Sequence, residues 1–226
     1  MTQKWTALVR RMAAEPAVLS ALDVGGGANP VLPPSLNDTR CTLADIDPDE
    51  LAKAPSGYGK QVVDFSVDID LKEQFDLIIS HFVCEHISNP IVFHKNILKH
   101  LRPDGRAVHF FPTLFAPPFL FNSLVPERVS DRILHRFQSD REQDGHHGKF
   151  PAYYRWCRGP SKRQIMRFTS LGFEVEQYVG CFGHPLYYQR WPRLERVERK
   201  ASAWLVEHPV PYATSYAYIV MRRPSA

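Results

Sequence analysis

The sequence has little cysteine and no long apolar run, and each absence excludes a class of protein. Only four of the 226 residues are cysteines, Cys41, Cys84, Cys157 and Cys181, and no two of them form a C-x-x-C pair. A chain of this length does not need disulfides to fold, so we expect reduced thiols. No stretch approaches the roughly 18 consecutive apolar residues that a membrane span requires. The sequence therefore predicts neither a disulfide scaffold nor a membrane span.

The N-terminal residues also lack the features of a secretory signal. Lys4, Arg10 and Arg11 are followed by no apolar core and by no small-residue cleavage site. We therefore expect a cytoplasmic protein. The length suits a single domain, residues 1–226, that carries an insertion.

Positive charge is in excess, but only locally. The formal net charge is +4, yet residues 126–167 hold ten Lys and Arg against five Asp and Glu. A solvated surface is the ordinary explanation of a charge run. The sharper interpretation is a substrate that is anionic or a sugar phosphate.

Short apolar runs alternate with helical stretches from residue 19 onward, which is typical of repeated strand–helix units. The pattern predicts seven strands, at residues 19–24, 39–46, 62–65, 75–81, 106–112, 173–179 and 212–222. Helices are predicted after an N-cap at Asp47 and at residues 91–101, 161–171 and 187–207. Prolines and aromatic residues break this rhythm over residues 113–160, an insertion after the fifth strand. The predicted fold class is α/β, with a doubly wound, seven-stranded, mostly parallel sheet.

The strongest functional signal is a glycine cluster where the first strand should turn into a helix. It reads Asp23-Val24-Gly25-Gly26-Gly27-Ala28-Asn29-Pro30. Glycine lacks a Cβ, so its backbone can approach a ligand closely. Asp45 ends the second strand 22 positions later (45 − 23), near the roughly 20-residue offset at which an acid meets a ribose hydroxyl, and Asp64 ends the third. These strand ends predict a cofactor that contains adenosine. Pro30 stands where the G-x-G-x-x-G motif of dehydrogenases would need its third glycine, which argues against a dehydrogenase.

At these residues the chain resembles the class I, Rossmann-like S-adenosylmethionine-dependent methyltransferases, particularly the small-molecule group often labelled type 11. The resemblance covers about residues 19–112. Residues 75–87, Phe-Asp-Leu-Ile-Ile-Ser-His-Phe-Val-Cys-Glu-His-Ile, look like the family's fourth motif. Residues 98–105, Leu-Lys-His-Leu-Arg-Pro-Asp-Gly, look like the segment before its fifth strand.

The resemblance implies that the cofactor is S-adenosylmethionine. Asp23 and the motif glycines would hold its methionine and ribose parts, Asp45 its ribose hydroxyls and Asp64 its adenine amine. The full set of expected cofactor contacts is Asp23, Gly25, Gly26, Gly27, Asn29, Asp45, Ile46, Asp64, Phe65, Ser80 and His81. Asn29 stands where the family often has a further glycine, and because Asn tolerates left-handed backbone we expect the loop to be preserved.

Two histidines are candidates for catalysis, since imidazole titrates near neutral pH and could take a proton from a hydroxyl. His81 ends the fourth strand and is expected to face the ligand crevice. His86 lies in Glu85-His86-Ile87, where a scaffold role outweighs a role as a base. No metal is predicted. The three adjacent side chains of Cys84 to His86 cannot converge on one zinc ion, and no pair of carboxylates suggests magnesium.

The insertion is expected to act as a substrate lid, because a loop this long in a compact domain is usually functional. The residues expected to contact substrate are Tyr153, Tyr154, Arg155, His146 and His147. The alternatives are a satellite hydrophobic cluster for the aromatic residues and a polar surface loop for the histidine pair.

The favoured function is methyl transfer to a small-molecule or glycan acceptor, foremost at a hydroxyl oxygen. The basic, aromatic insertion suggests an RNA-modifying methyltransferase as the alternative. Against nucleic acid as a partner, Ser80-His81-Phe82-Val83 stands where base-modifying enzymes have an Asn/Asp-Pro-Pro-Tyr type of sequence. A non-catalytic relative that binds the cofactor is a third hypothesis. The sequence does not fix the oligomeric state.

Overall fold

The fold is built on one sheet, which a computed structural model describes over residues 2–114, 151–183 and 192–225. The strands are β1 (Ser20–Val24), β2 (Ser35–Leu36), β3 (Thr39–Asp45), β4 (Gly59–Val62), β5 (Phe75–His81), β6 (Leu101–Pro112), β7 (Glu174–Cys181) and β8 (Tyr216–Arg222). The helices are α1 (Thr2–Ala13), α2 (Pro48–Lys53), α3 (Pro90–His100), α4 (Lys162–Thr169) and α5 (Pro192–Glu207), with short 3₁₀ turns at Cys84–His86 and Pro211–Ala213.

The seven main strands lie in the order β4-β3-β1-β5-β6-β8-β7. All pairs from β4 to β6 are parallel, whereas β8 is antiparallel to both of its neighbours. The two-residue β2 is an eighth strand, antiparallel to the start of β3. The predicted mostly parallel, doubly wound sheet of the Rossmann-like type is therefore confirmed.

Three strands differ from the sequence prediction by three or more residues at a boundary, and three others by one or two. The third main strand covers residues 59–62 rather than 62–65, because it is a largely exposed edge strand whose first three residues are Gly, Lys and Gln. The last strand begins at Tyr216, since a 3₁₀ turn occupies Pro211–Ala213. The fifth begins at Leu101, and its register shifts between Phe75 and Leu77 of the neighbouring β5, close to the predicted turn residues 102–105.

Helices cover both faces of the sheet, each over its own hydrophobic cluster. On one face α3 and α4 contribute Phe93, Ile97 and Phe168. On the other, Trp5 and Val9 of α1 pack with residues of the central strands. The sequence did not predict α1, although Trp5, Val9 and Met12 share one face of the helix. This helix runs antiparallel to the strands, because its last residue accepts a hydrogen bond from Thr39 Oγ1 while Trp5 stacks on His81.

Local capping explains where the helices begin. The Asp47 side chain accepts hydrogen bonds from the backbone N–H groups of Asp49 and Glu50, which confirms the predicted N-cap. Asn89 and Ser161 cap α3 and α4 in the same way. Gly172, at φ +105°, follows the end of α4 in the left-handed conformation that favours glycine.

Only the two ends of the predicted insertion fall within the described residues. Its first residues join the body through a hydrogen bond from Leu114 N to the Cys157 carbonyl, 3.0 Å. His146 and His147 lie outside the described residues, as do residues 187–191 of the predicted final helix, which is described from Pro192 onward. All four cysteines are free thiols. No helix in the three described ranges is long and apolar enough to cross a membrane.

Truncating the buried tryptophan of α1 should destabilise the fold strongly. Trp5 is 1% exposed, whereas Trp204 of α5 is 55% exposed. Trp5→Ala is expected to lower the free energy of unfolding by about 3–5 kcal/mol, because a large cavity replaces the indole. Trp204→Ala should change it by less than about 0.5 kcal/mol. Urea titration followed by circular dichroism measures both, and similar losses in the two variants would contradict the packing of α1 described above.

Candidate active site

The carboxyl ends of four parallel strands meet at one edge of the sheet. Val24 of β1 is paired with Ala44 of β3 on one side and with Ser80 of β5 on the other. Beyond β3, Asp45 is paired with Val62 of β4. From β1 the chain proceeds outward to β3 and β4, then crosses to β5 and β6 on the other side. The gap between β1 and β5 is thus the switch point at which open α/β sheets bind ligands.

The glycine turn after β1 is packed too tightly for side chains. Gly25 and Gly27 have φ values of +73° and +38°. A Cβ on Gly25 would lie 2.3 Å from Cγ2 of Val83, and one on Gly27 would lie 3.1 Å from Oδ2 of Asp45. The turn therefore presents backbone to the edge of the sheet, directly between the end of β3 and the segment after β5.

Asp23 is buried next to this turn and hydrogen-bonds to the chain that follows it. Its carboxyl is 1% exposed, and Oδ2 accepts a hydrogen bond of 2.8 Å from the backbone N–H of Val31. Burial raises the pKa of Asp23 to about 7, and the charge of Asp45 raises it further. A carboxyl this costly to ionise is typical of functional sites.

Two further acids stand at the ends of the neighbouring strands. Asp45 is half-buried, and its Oδ1 accepts a hydrogen bond of 3.0 Å from Asp47 N, while burial raises its pKa. Asp64 Oδ1 accepts a hydrogen bond of 2.7 Å from Ser66 N. The two acids are linked by strand pairing, since Val63 N donates to the Asp45 carbonyl at 2.9 Å. The structure thus places both acids on the same side of the glycine turn.

The remaining expected cofactor contacts present different groups to this edge. Ile46 holds an apolar side chain, 51% exposed, beside Asp45. The side chain of Phe65 packs in the core near Phe93, and Ser80 Oγ lies 2.7 Å from Nδ1 of the buried His109, so these two offer only backbone. Asn29 does not adopt the left-handed backbone that the sequence allowed for it.

His81 lies at the edge within an aromatic stack. Its ring centroid is 4.9 Å from that of Trp5 and 4.2 Å from that of Phe82. Nε2 is buried and has no hydrogen-bond partner among the residues that the structure describes. Burial lowers the pKa of His81, so the imidazole is neutral at neutral pH. Phe82 has φ +57°, a rare conformation for an aromatic residue and one that is often found at functional sites.

The 3₁₀ turn after β5 holds the chain that returns from the insertion. The Glu85 carbonyl accepts hydrogen bonds from the N–H groups of Tyr153 and Tyr154, at 2.7 and 3.1 Å. His86 Nδ1 donates to the Pro151 carbonyl at 3.2 Å, a contact that suits the scaffold role. Tyr153 and Arg155 are exposed beside this turn, whereas the Tyr154 side chain is buried in the core.

Sequence reasoning missed three residues of this site, Trp5, Phe82 and Val83. The apolar spacing of α1 could have placed Trp5 against the sheet, since Trp5, Val9 and Met12 recur at helical intervals. No local signal marks the left-handed backbone of Phe82, because it depends on the strand end before it.

An open groove of about 1130 Å³ lies at the opposite edge of the sheet. It is lined by the amino-terminal halves of the strands and by charges of both signs, including Asp38, Arg40 and Arg102. Its position away from the glycine turn argues against a catalytic role. Within the described ranges no cluster of three or more His, Cys, Asp or Glu could hold a metal ion.

Comparison with known proteins yields a family and a fold. The sequence profile of a family described as methyltransferase domain matches residues 1–178. Among curated protein sequences none matches significantly. Several solved structures are similar over nearly the whole chain, at identities that support a shared fold only.

The N-methyltransferase NodS of Bradyrhizobium japonicum, solved with S-adenosyl-L-homocysteine, is 16% identical with a TM-score of 0.56, over 99% of this chain and 87% of that one. An S-adenosylmethionine-dependent methyltransferase of Clostridium acetobutylicum is 11% identical with a TM-score of 0.60, over 99% and 92%. The cyclase SpnF is 15% identical with a TM-score of 0.59, over 99% and 81%. Because the fold hosts both methyltransferases and a cyclase, function must be argued from the site.

The buried carboxyl of Asp23 should make stability fall as pH rises. Between its ordinary pKa of 3.8 and the folded value of about 7, the unfolded chain releases a proton that the folded chain retains. The free energy of unfolding therefore declines over that window. Asp23→Asn, which keeps an oxygen for the Val31 N–H, should remove a decline on the order of 4 kcal/mol.

Urea unfolding at several pH values from about 4 to 8 measures this difference in slope. The exposed Asp38→Asn serves as the control and should keep the pH dependence of the wild type. Parallel curves for wild type and Asp23→Asn would show that Asp23 is not protonated in the folded protein.

Proposed function

The chain belongs to the methyltransferase domain family, whose profile spans residues 1–178, and on that premise we propose methyl transfer from S-adenosylmethionine to a hydroxyl oxygen of a small-molecule or glycan acceptor. The single observation that supports the cofactor assignment most is the contact between the glycine turn and Asp45. A side chain on Gly27 would lie 3.1 Å from the Asp45 carboxylate, so only glycine leaves the space beside this acid free for a ligand.

Three kinds of group would hold the cofactor at this edge. The carboxylates of Asp45 and Asp64 would accept hydrogen bonds from the ribose hydroxyls and the adenine amine. The exposed side chain of Ile46 would cover one face of the adenine. The glycine turn, with Asp23 beneath it, would bind the methionine part through backbone groups.

When bound, S-adenosylmethionine supplies a methyl group on a positively charged sulfur. The transfer is an in-line displacement, so the protein must above all align the acceptor and exclude water. The aromatic residues Trp5, His81 and Phe82 stack at the end of β5 and would form the water-excluding wall. His81 is the residue we assign to the acceptor proton, since it ends β5 and its imidazole is neutral.

Removing the Asp45 carboxylate should weaken cofactor binding. Asp45→Ala loses charge-assisted hydrogen bonds to ribose hydroxyls, which together contribute about 1.5–3 kcal/mol, so the Kd for S-adenosylmethionine should rise by about 10- to 100-fold. Isothermal titration calorimetry measures the Kd, and Asp38→Ala, at the opposite edge of the sheet, is the control. Binding that is absent in the wild type, or unchanged in Asp45→Ala, would overturn the cofactor assignment.

Replacing His81 should slow the transfer without weakening cofactor binding. His81→Phe keeps the ring stacked on Trp5 but removes both nitrogens, and it should lower the rate of product formation by about 10²- to 10⁴-fold. Release of S-adenosylhomocysteine with a panel of hydroxylated acceptors measures the rate. Because burial lowers the pKa of His81, the wild-type rate should fall on acidification only below its ordinary pKa of 6.5.

His86→Gln is the matched variant, and it should retain the rate if His86 only holds Pro151. A loss of rate in His86→Gln with none in His81→Phe would move the catalytic role to His86. No product with any acceptor, despite cofactor binding, would favour a non-catalytic relative of the family.

A further inference from the structure

The positive charge of the chain is concentrated in one described stretch. Residues 126–150 contain five basic and five acidic side chains, whereas residues 151–167 contain five basic and no acidic ones. The five cations are Arg155, Arg158, Lys162, Arg163 and Arg167. The local excess of charge therefore lies entirely in the segment that is hydrogen-bonded to the 3₁₀ turn after β5 and continues into α4.

Two of these cations fix the shape of the stretch. Arg158 donates to the Tyr154 carbonyl, and the Arg167 guanidinium lies 5.6 Å from the centre of the Trp156 ring. Gln164 of α4 donates to the Trp156 carbonyl at 2.9 Å and accepts from Arg167 at 2.8 Å. These contacts join the loop and the first turn of α4 into one unit, so the chain positions of Arg155 and Arg163 are fixed relative to each other.

The other three cations of the stretch pair with no acid in the described part of the chain. Arg155, Lys162 and Arg163 are exposed, and none forms an ion pair with an acid of the described residues. The acid whose backbone carbonyl binds this stretch is Glu85, which is 5% exposed. Burial raises the pKa of Glu85 to about 8, so this carboxyl is mainly uncharged at neutral pH.

The cations lie beside the edge of the sheet that carries the candidate active site. Tyr153, two residues before Arg155, is bonded to the Glu85 carbonyl just beyond β5. The helix α4 leads to the start of β7, which runs in the same direction as β6, so the N-terminus of α4 points to this carboxyl edge. The positive end of the helix dipole adds to the charges of Lys162 and Arg163.

We propose that Arg155, Lys162 and Arg163 bind an anionic group, a phosphate or a carboxylate, carried by the methyl acceptor. This deepens the proposed function and rests on it. A guanidinium presents a planar fork of donors that matches either anion with two parallel hydrogen bonds. Exposed Tyr153, beside the same turn, would contact the uncharged body of the acceptor.

A small acceptor fits these observations better than RNA. Proteins that bind RNA track many phosphates along an extended basic face, and their domains commonly have isoelectric points above about 9. Within residues 151–167 three exposed cations are without an ion pair to a described acid, and the whole chain has a net charge of +4 and a pI of about 8.9. The cation set is therefore of a size to hold one anionic group.

The test is a titration of ¹⁵N-labelled protein, with and without S-adenosylhomocysteine, at an ionic strength held constant with sodium chloride. The probes are inorganic phosphate, glucose 6-phosphate, glucuronate and glucose. The Nε–H resonances of Arg155 and Arg163 should shift saturably with the anionic probes and not with glucose, and phosphate against glucuronate separates the two anion classes. Arg155→Gln or Arg163→Gln should raise the Kd of the bound probe about tenfold, the loss of one charge-assisted hydrogen bond.

Arg40→Gln, an exposed cation at the opposite edge of the sheet, is the matched control and should leave the Kd unchanged. Equal shifts with glucose, no saturable shift with any anion, or equal weakening by Arg40→Gln would overturn the proposal. Preferential binding of a single-stranded RNA oligonucleotide with a steep salt dependence would also overturn it, in favour of nucleic acid. S-adenosylhomocysteine affinity, read in the same samples, reports separately on the proposed function and shows whether each variant is folded.

Discussion

The structure depends on one close approach, the packing of the turn after β1 against the ends of β3 and β5. Gly25 meets Val83 where any Cβ would overlap a methyl group, and Gly27 meets the Asp45 carboxylate. With side chains at these positions, Val83, Asp45 or the turn itself would have to shift, and the positive φ values of +73° and +38° would be strained. Asp23 holds the turn in place through the Val31 N–H, at the cost of burying a carboxyl whose pKa rises to about 7.

The aromatic stack on the other side of the gap links this edge to the hydrophobic core. Trp5 is part of the core beneath α1, and its ring lies against His81 at the tip of β5. The imidazole is thereby desolvated and kept neutral, which is the protonation state that a base requires. Stability and chemistry are therefore coupled at this point, because the contact that buries α1 also sets the properties of the histidine.

Much of the fold and part of the candidate site could be predicted from local sequence. The central strand β5 was predicted with its correct bounds because a strand buried on both faces needs a continuous apolar run, Leu77 to Ile79. The edge strand β4 was misplaced because half of its surface meets solvent and its residues need not be apolar. The glycine turn and the acids near it could be predicted from the sequence because each lies at or near the end of a strand.

What the sequence could not give is the direction of individual side chains. Tyr153 and Tyr154 are neighbours of the same type, yet the left-handed backbone of Tyr154, φ +48°, accompanies a ring buried in the core while Tyr153 stays exposed. The same limit applies to Ser80 and Phe65, which belong to the predicted cofactor set but whose side chains pack inward. These orientations are decided by contacts between residues far apart in the chain.

The Glu85 carbonyl anchors the chain at positions 153 and 154 through main-chain groups alone. Such an anchor makes no demand on which amino acid occupies position 153, so the attachment would survive replacement of that exposed side chain. An ancestral protein could therefore exchange one substrate for another by altering the residue at the rim while its scaffold stayed the same. Because the attachment uses backbone groups alone, the fold can stay the same while the side chain at position 153, and with it the substrate, changes.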